Sequence, residues 1–237
     1  MIKTLHIFAS LAAVTCLSTA AHATVVYQND FQTTVGSEWS SIITSDTPTP
    51  YPSGSRTFLG EFGNQTINLN LAALPAHDMV EVSFDLYLIR SWDGSSTGTQ
   101  YDWGSDFFSF GLVNGPTFLH DTFGNGNPAG QSYGPNANNP WGTGAAETYS
   151  LGYVFNDGTI NQVMDSVYHF SFSFANSDSL LAFNFIGSGL QDISDESWGL
   201  DNVKVSVSAV PEPAALPLFA AGLGLVGLMV RRSRRTQ

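Results

Sequence analysis

Acids and aromatics are the residues of this 237-residue chain whose types and spacing could do chemistry. Aspartate and asparagine side chains with backbone carbonyls build hard oxygen sites that leave little sequence pattern. Asp30 in Tyr27-Gln28-Asn29-Asp30-Phe31, Asp93 in Ser91-Trp92-Asp93-Gly94, Asp106, and Asp201 in Leu200-Asp201-Asn202-Val203 are the candidates, and structural Ca2+ is the ion they suit. The competing reading is that these acids only solvate loops. Trp92, Trp103, Tyr133 and Trp141 lie among polar loop residues. Such rings can stack on the C–H face of a pyranose, and each could equally anchor a core or a loop. Trp39 and Trp198, beside strands, read as core.

Catalytic patterns are weaker. Gly94-Ser95-Ser96-Thr97-Gly98 matches the hydrolase elbow G-x-S-x-G, which works only between a strand and a helix. Here a Gly/Ser/Thr stretch follows, so a turn is expected. A jelly-roll glycosidase would place paired carboxylates on one strand face, commonly as E-x-D-x-x-E, and no such triplet occurs. Asp192, Asp195 and Glu196 cluster in what reads as a loop entering a strand, a solvated turn or a metal contact. His77, His120 and His169 stand apart, without zinc-ligand spacing. No catalytic residue is assigned, and the expectation is a protein that is not an enzyme.

The elements that must position these residues are strands. Val80, Val82, Phe84, Leu86 and Leu88 alternate with Glu81, Ser83, Asp85 and Tyr87. Ile67, Leu69 and Leu71, then Tyr168, Phe170, Phe172 and Phe174, then Leu181, Phe183 and Phe185, and finally Val203, Val205 and Val207 repeat the pattern. Further strands are expected near 24–31, 56–62, 105–113, 116–123 and 148–155, about ten in all. One apolar and one polar face per strand predicts an all-β fold, an antiparallel β-sandwich of jelly-roll type over residues 24–209. Residues 124–144 hold six Gly, five Asn and three Pro, a long loop of a functional or mobile kind. Ser91–Gly104 and Asp46–Ser55 are further loops.

Charge separates the body from its ends. Residues 24–210 carry three basic and 19 acidic residues, a formal charge of −16, and nothing there could neutralise nucleic-acid phosphates. Residues 1–23 read as a secretory signal peptide: Lys3, an apolar stretch, then Ala21-His22-Ala23 as the signal peptidase site. Cys16 falls inside this leader, so the mature chain has no cysteine. At the other end, Pro211-Glu212-Pro213 precedes the apolar run Ala214–Val230 and then Arg231, Arg232, Arg234 and Arg235. As a transmembrane helix, 214–230 would span about 26 Å, with the arginines cytoplasmic and the body outside.

This tripartite tail, residues 210–237, resembles the PEP-CTERM sorting signal of Gram-negative bacteria, a tail also described as the C-terminal domain of ice-binding proteins. The resemblance implies an exosortase that cleaves near Pro211-Glu212-Pro213, a transient inner-membrane anchor, and a destination at the cell surface or in an exopolysaccharide biofilm matrix. The threonines of the body are too scattered for a regular ice-binding face. Ser91–Gly94 and Glu196–Val203 resemble, more loosely, motifs of concanavalin-like domains in bacterial surface proteins. The combined expectation is an exported matrix or surface protein binding polysaccharide and calcium. The alternatives are a carbohydrate-active hydrolase on a jelly-roll scaffold and a purely structural adhesion subunit.

Overall fold

Strand parity decides where the side chains go. A computed structural model describes residues 23–48, 55–96, 103–126 and 128–209. Thirteen strands occur among them: β1 (Thr24–Asn29), β2 (Thr44–Asp46), β3 (Thr57–Phe62), β4 (Thr66–Leu71), β5 (Met79–Arg90), β6 (Phe107–Leu112), β7 (Thr117–Thr122), β8 (Glu147–Thr148), β9 (Val154–Asn156), β10 (Asn161–Val163), β11 (Asp165–Ala175), β12 (Leu181–Ser188) and β13 (Glu196–Ser208). All pairings are antiparallel. The larger sheet runs β2-β3-β13-β5-β11-β8, with β1 also on β13, and the smaller runs β4-β12-β6-β7. Strands β9 and β10 form a separate ribbon. No α-helix occurs among the described residues, and none there is long and apolar enough to cross a membrane.

The two sheets enclose one aromatic core. Phe84 of β5 packs against Phe110 of β6 at 4.9 Å and Phe185 of β12 at 5.1 Å between ring centroids, and Phe108 meets Trp198 edge-on at 5.3 Å. Val80, Val82, Phe84, Leu86 and Leu88 all face this core, as do Ile67, Leu69, Leu71, Phe183 and Phe185. On β13 the inward residues are Trp198 and Leu200, then Val203, Val205 and Val207. That change of phase needs one extra residue. The β5–β13 register slips between Asp201 and Lys204, where Asn202 takes φ 50°, the left-handed conformation asparagine tolerates.

The outer face of the larger sheet carries a second apolar cluster of Phe58, Tyr87, Ile89 and Val167, covered by Leu151 and Tyr153. The single strand expected near 148–155 is therefore two short strands with a covering turn between them. Asp165 holds that turn, its carboxylate accepting the backbone N–H groups of Ser150, Leu151, Gly152 and Tyr153 at 2.8–3.1 Å. The expected leader (1–23, except Ala23) and the Pro-Glu-Pro, span and arginines of the tail lie outside the described residues.

Candidate functional site

At one end of the sandwich the inward-facing positions turn from aromatic to acidic. Phe108 and Trp198 meet across the core, and two residues earlier on the same parity stand Asp106 and Glu196. Asp93, in the loop after β5, completes the group. One carboxylate oxygen from each of the three lies within 4.8 Å of the others. Asp106 and Glu196 are 0% exposed and Asp93 is 9% exposed.

The trio is partly wired to backbone. Asp106 Oδ2 accepts the Asp93 N–H. Glu196 Oε2 accepts the Gln191 N–H at 2.7 Å, and the Gln191 side-chain amide donates to Asp93 Oδ2 at 3.2 Å and to the Trp103 carbonyl at 2.7 Å. Asp106 Oδ1 and Glu196 Oε1 are buried with no hydrogen-bond partner. Burial, reinforced by each other's charge and that of Asp93, pushes the Glu196 carboxyl well above its ordinary range; burial raises Asp106 likewise, against the Asp93 N–H bond. Two arginines lie among the described residues, and their ion pairs are elsewhere, Arg56 with Glu147 at 2.7 Å and Arg90 with Glu61 at 2.6 Å. An acidic pair in that setting calls for a proton or a cation.

Asp93 also faces an open pocket of about 560 Å³, whose walls include Trp103, Phe155, Ile160, Gln191 and Asp195. Trp103 is 56% exposed. Two glycines let the backbones close around this end. A Cβ on Gly94 (φ 69°) would run into the Gly130 carbonyl, and one on Gly189 (φ 88°) into the Ser105 carbonyl.

The sequence candidates divide accordingly. Asp93 and Asp106 come together, joined by Glu196, which the sequence groups with Asp192 and Asp195 in a loop as a solvated turn or a metal contact. Glu196 is instead the first residue of β13, and its inward parity with Trp198 is the signal that could have singled it out. Asp30 and Asp201 are not part of this group. Asp30 is exposed and accepts the Gln32 N–H at 3.2 Å, while Asp201 is buried and takes the Tyr87 hydroxyl at 2.8 Å. Burial, with the charges of Asp85 and Asp30 behind it, raises Asp201 to about 6. Among the ring candidates only Trp103 lines the pocket. Trp92 is fully enclosed with its indole N–H on the Ser197 carbonyl at 2.8 Å, so it has no face for a sugar and is corrected to core. Tyr133 is half-buried against Phe123 and Phe170, and Trp141 sits half-buried, edge-on to Tyr149.

Catalytic geometry is a separate question. Three converging carboxylates are what a hydrolase reading asks for, but acid and base must both touch the scissile bond. Asp106 and Glu196 expose no surface to it. Ser96 of the elbow-like sequence is likewise buried, its hydroxyl donating to the Gly104 carbonyl, and Thr97-Gly98 lie outside the described residues. His77 holds the Pro75 carbonyl, His120 the Ser109 hydroxyl and His169 the Asp85 carboxylate, three separate places.

Comparisons with known proteins divide body from tail. Among curated proteins none matches the chain's sequence. Of solved structures, the body is similar to dimeric latent PorU from Porphyromonas gingivalis at 11% identity and TM-score 0.36, over 64% of this chain. That match spans only 11% of PorU. It is similar to the CBM22-1 xylan-binding domain of Paenibacillus barcinonensis Xyn10C at 13% identity and TM-score 0.37, over 81% of this chain and 99% of the other. It is also similar to a cleaved adhesin domain of Lys-gingipain from Porphyromonas gingivalis at 9% identity and TM-score 0.38, over 78% and 99%. Residues 209–235 match the family described as the PEP-CTERM protein-sorting motif, so the chain carries, behind its β-sandwich, the C-terminal signal that implies exosortase-dependent export.

Proposed function

We propose that this is an exported surface or biofilm-matrix protein of a Gram-negative bacterium whose β-sandwich binds extracellular polysaccharide without hydrolysing it. In this reading signal peptidase removes residues 1–23 and the 214–230 span holds the chain transiently in the inner membrane. Exosortase then acts near Pro211-Glu212-Pro213. The observation that carries the binding step is the pocket beside Asp93: Trp103 offers an exposed indole face, Phe155 and Ile160 add apolar wall, and Asp93, Asp157, Gln191 and Asp195 offer hydroxyl partners. That mixture of a stacking face with a few convergent polar groups suits a pyranose.

Affinity electrophoresis of the full chain through gels containing the organism's own exopolysaccharide tests it. Wild type should be retarded, and Trp103→Ala should run freely with its melting temperature unchanged. Equal mobility of the two proteins would sink the pocket reading. New reducing ends after incubation with the polysaccharide would replace it with a hydrolase.

A further inference from the structure

We propose that Asp93, Asp106 and Glu196 form a buried Ca2+ site that ties the start of β13 to the start of β6 and to the loop after β5. This goes beyond polysaccharide binding and stands without it. The first observation is convergence: three carboxylate oxygens from three separate chain segments lie within 4.8 Å of one another, a span compatible with oxygens around Ca2+ at about 2.3–2.6 Å. The second is independent of it. Asp106 Oδ1 and Glu196 Oε1 take no hydrogen bond from any N–H or hydroxyl among the described residues although both residues are 0% exposed, so without a cation each can pair only with the other carboxyl, through a shared proton.

The donor set chooses the ion. It is all carboxylate oxygen, with no histidine or cysteine, which suits a hard cation and disfavours zinc or copper. Position supplies the purpose. The inter-sheet space is filled by aromatic contacts such as Phe108 with Trp198, and Asp106 and Glu196 stand two residues before these rings on the same parity. A divalent ion would clamp the two sheets there, beside the aromatic core. Asp93 belongs both to the trio and to the pocket wall, which gives the ion a way in. The rival occupant is a proton shared between Asp106 and Glu196, and it predicts the opposite response to amide substitution.

The test uses the full chain stripped with a chelator and titrated with Tb3+ or Ca2+. Trp92, buried and adjacent to Asp93, should sensitise Tb3+ emission that Ca2+ displaces, and Ca2+ at about 1 mM should raise the melting temperature reversibly. Glu196→Gln and Asp106→Asn should weaken Ca2+ binding by roughly tenfold or more. Asp93→Asn, at the partly exposed corner, gives the same reading should either of those fail to fold. Asp30→Asn and Asp201→Asn should leave Ca2+ binding and its thermal effect in place. Three results overturn the proposal: no displaceable emission and no thermal shift in wild type; loss of both through Asp30→Asn or Asp201→Asn instead; or a Glu196→Gln protein more stable than wild type whether or not Ca2+ is present.

Discussion

Two buried aspartates on the larger sheet show how differently one side chain can be used. Asp165 gathers four backbone N–H groups of residues 150–153 and so fixes the turn that covers the outer apolar cluster. An amide could accept at only one of its two ends, so Asp165→Asn should cost about 3 kcal/mol in urea unfolding, with exchange protection lost at those four amides. Asp201 has fewer donors, the Tyr87 hydroxyl and the Asn202 N–H, and its carboxyl is raised to about 6 by burial. The folded state therefore binds its proton more tightly than the unfolded chain, whose value is about 3.9. Its contribution to stability is full below about pH 4 and is lost as pH rises through about 6, up to about 3 kcal/mol. Unfolding free energies of Asp201→Asn across that range should slope less steeply than those of wild type, and parallel profiles would show that Asp201 does not titrate as described.

Among the elements, the 124–144 segment shows the gap between composition and arrangement. Its glycines, asparagines and prolines announce a loop, and among its described residues only isolated bridges, such as Gln131 with Asn139, interrupt it. Composition does not reveal that two buried amides organise it. The Gln131 side chain accepts the Gly124 and Gly142 N–H groups and donates to the Tyr133 and Thr143 carbonyls at 3.0 Å each. The Asn139 side chain ties Ser132 to Asn136. Gln131→Ala would strand those buried groups, so a loss of about 3 kcal/mol is expected, read by chemical denaturation. Faster hydrogen exchange at Gly124 and Gly142 should accompany it, and unchanged exchange there would mean other contacts hold the loop. The strands were far more legible. Period-two runs such as Val80 to Leu88 name their own inward face, because alternation and burial are the same constraint. The bulge at Asn202 was not legible, since a one-residue phase change looks locally like any other Asp-Asn pair.

Across the whole molecule, charge is the dominant property. Residues 24–210 carry a formal −16, and crowding that much negative charge onto a folded sandwich opposes folding through self-repulsion. Raising NaCl from about 10 mM to about 1 M shortens the screening length from about 30 Å to about 3 Å. The melting temperature should therefore climb by several degrees in scanning calorimetry with calcium removed. A salt-independent value would mean the acids are spread too widely to repel. The same charge frames the binding proposal, because a polyanionic polysaccharide would meet this surface only through bridging divalent cations.

The sequence by itself determined the all-β, antiparallel class, the inward face of most strands, the 124–144 loop and the sorting motif at the C-terminus. Each is written in contiguous residues, as alternation, as turn composition or as a linear signal. Tertiary structure alone decided which acids meet. Asp93, Asp106 and Glu196 are brought together from the loop after β5, the residue just before β6 and the first residue of β13, while Asp30 and Asp201 stay outside that group. It also decided which ring is open to solvent, enclosing Trp92 and leaving Trp103 on a pocket wall. The physical reason is common to both. Local pattern fixes parity within a strand, but proximity and exposure depend on how two sheets stack and where their core ends.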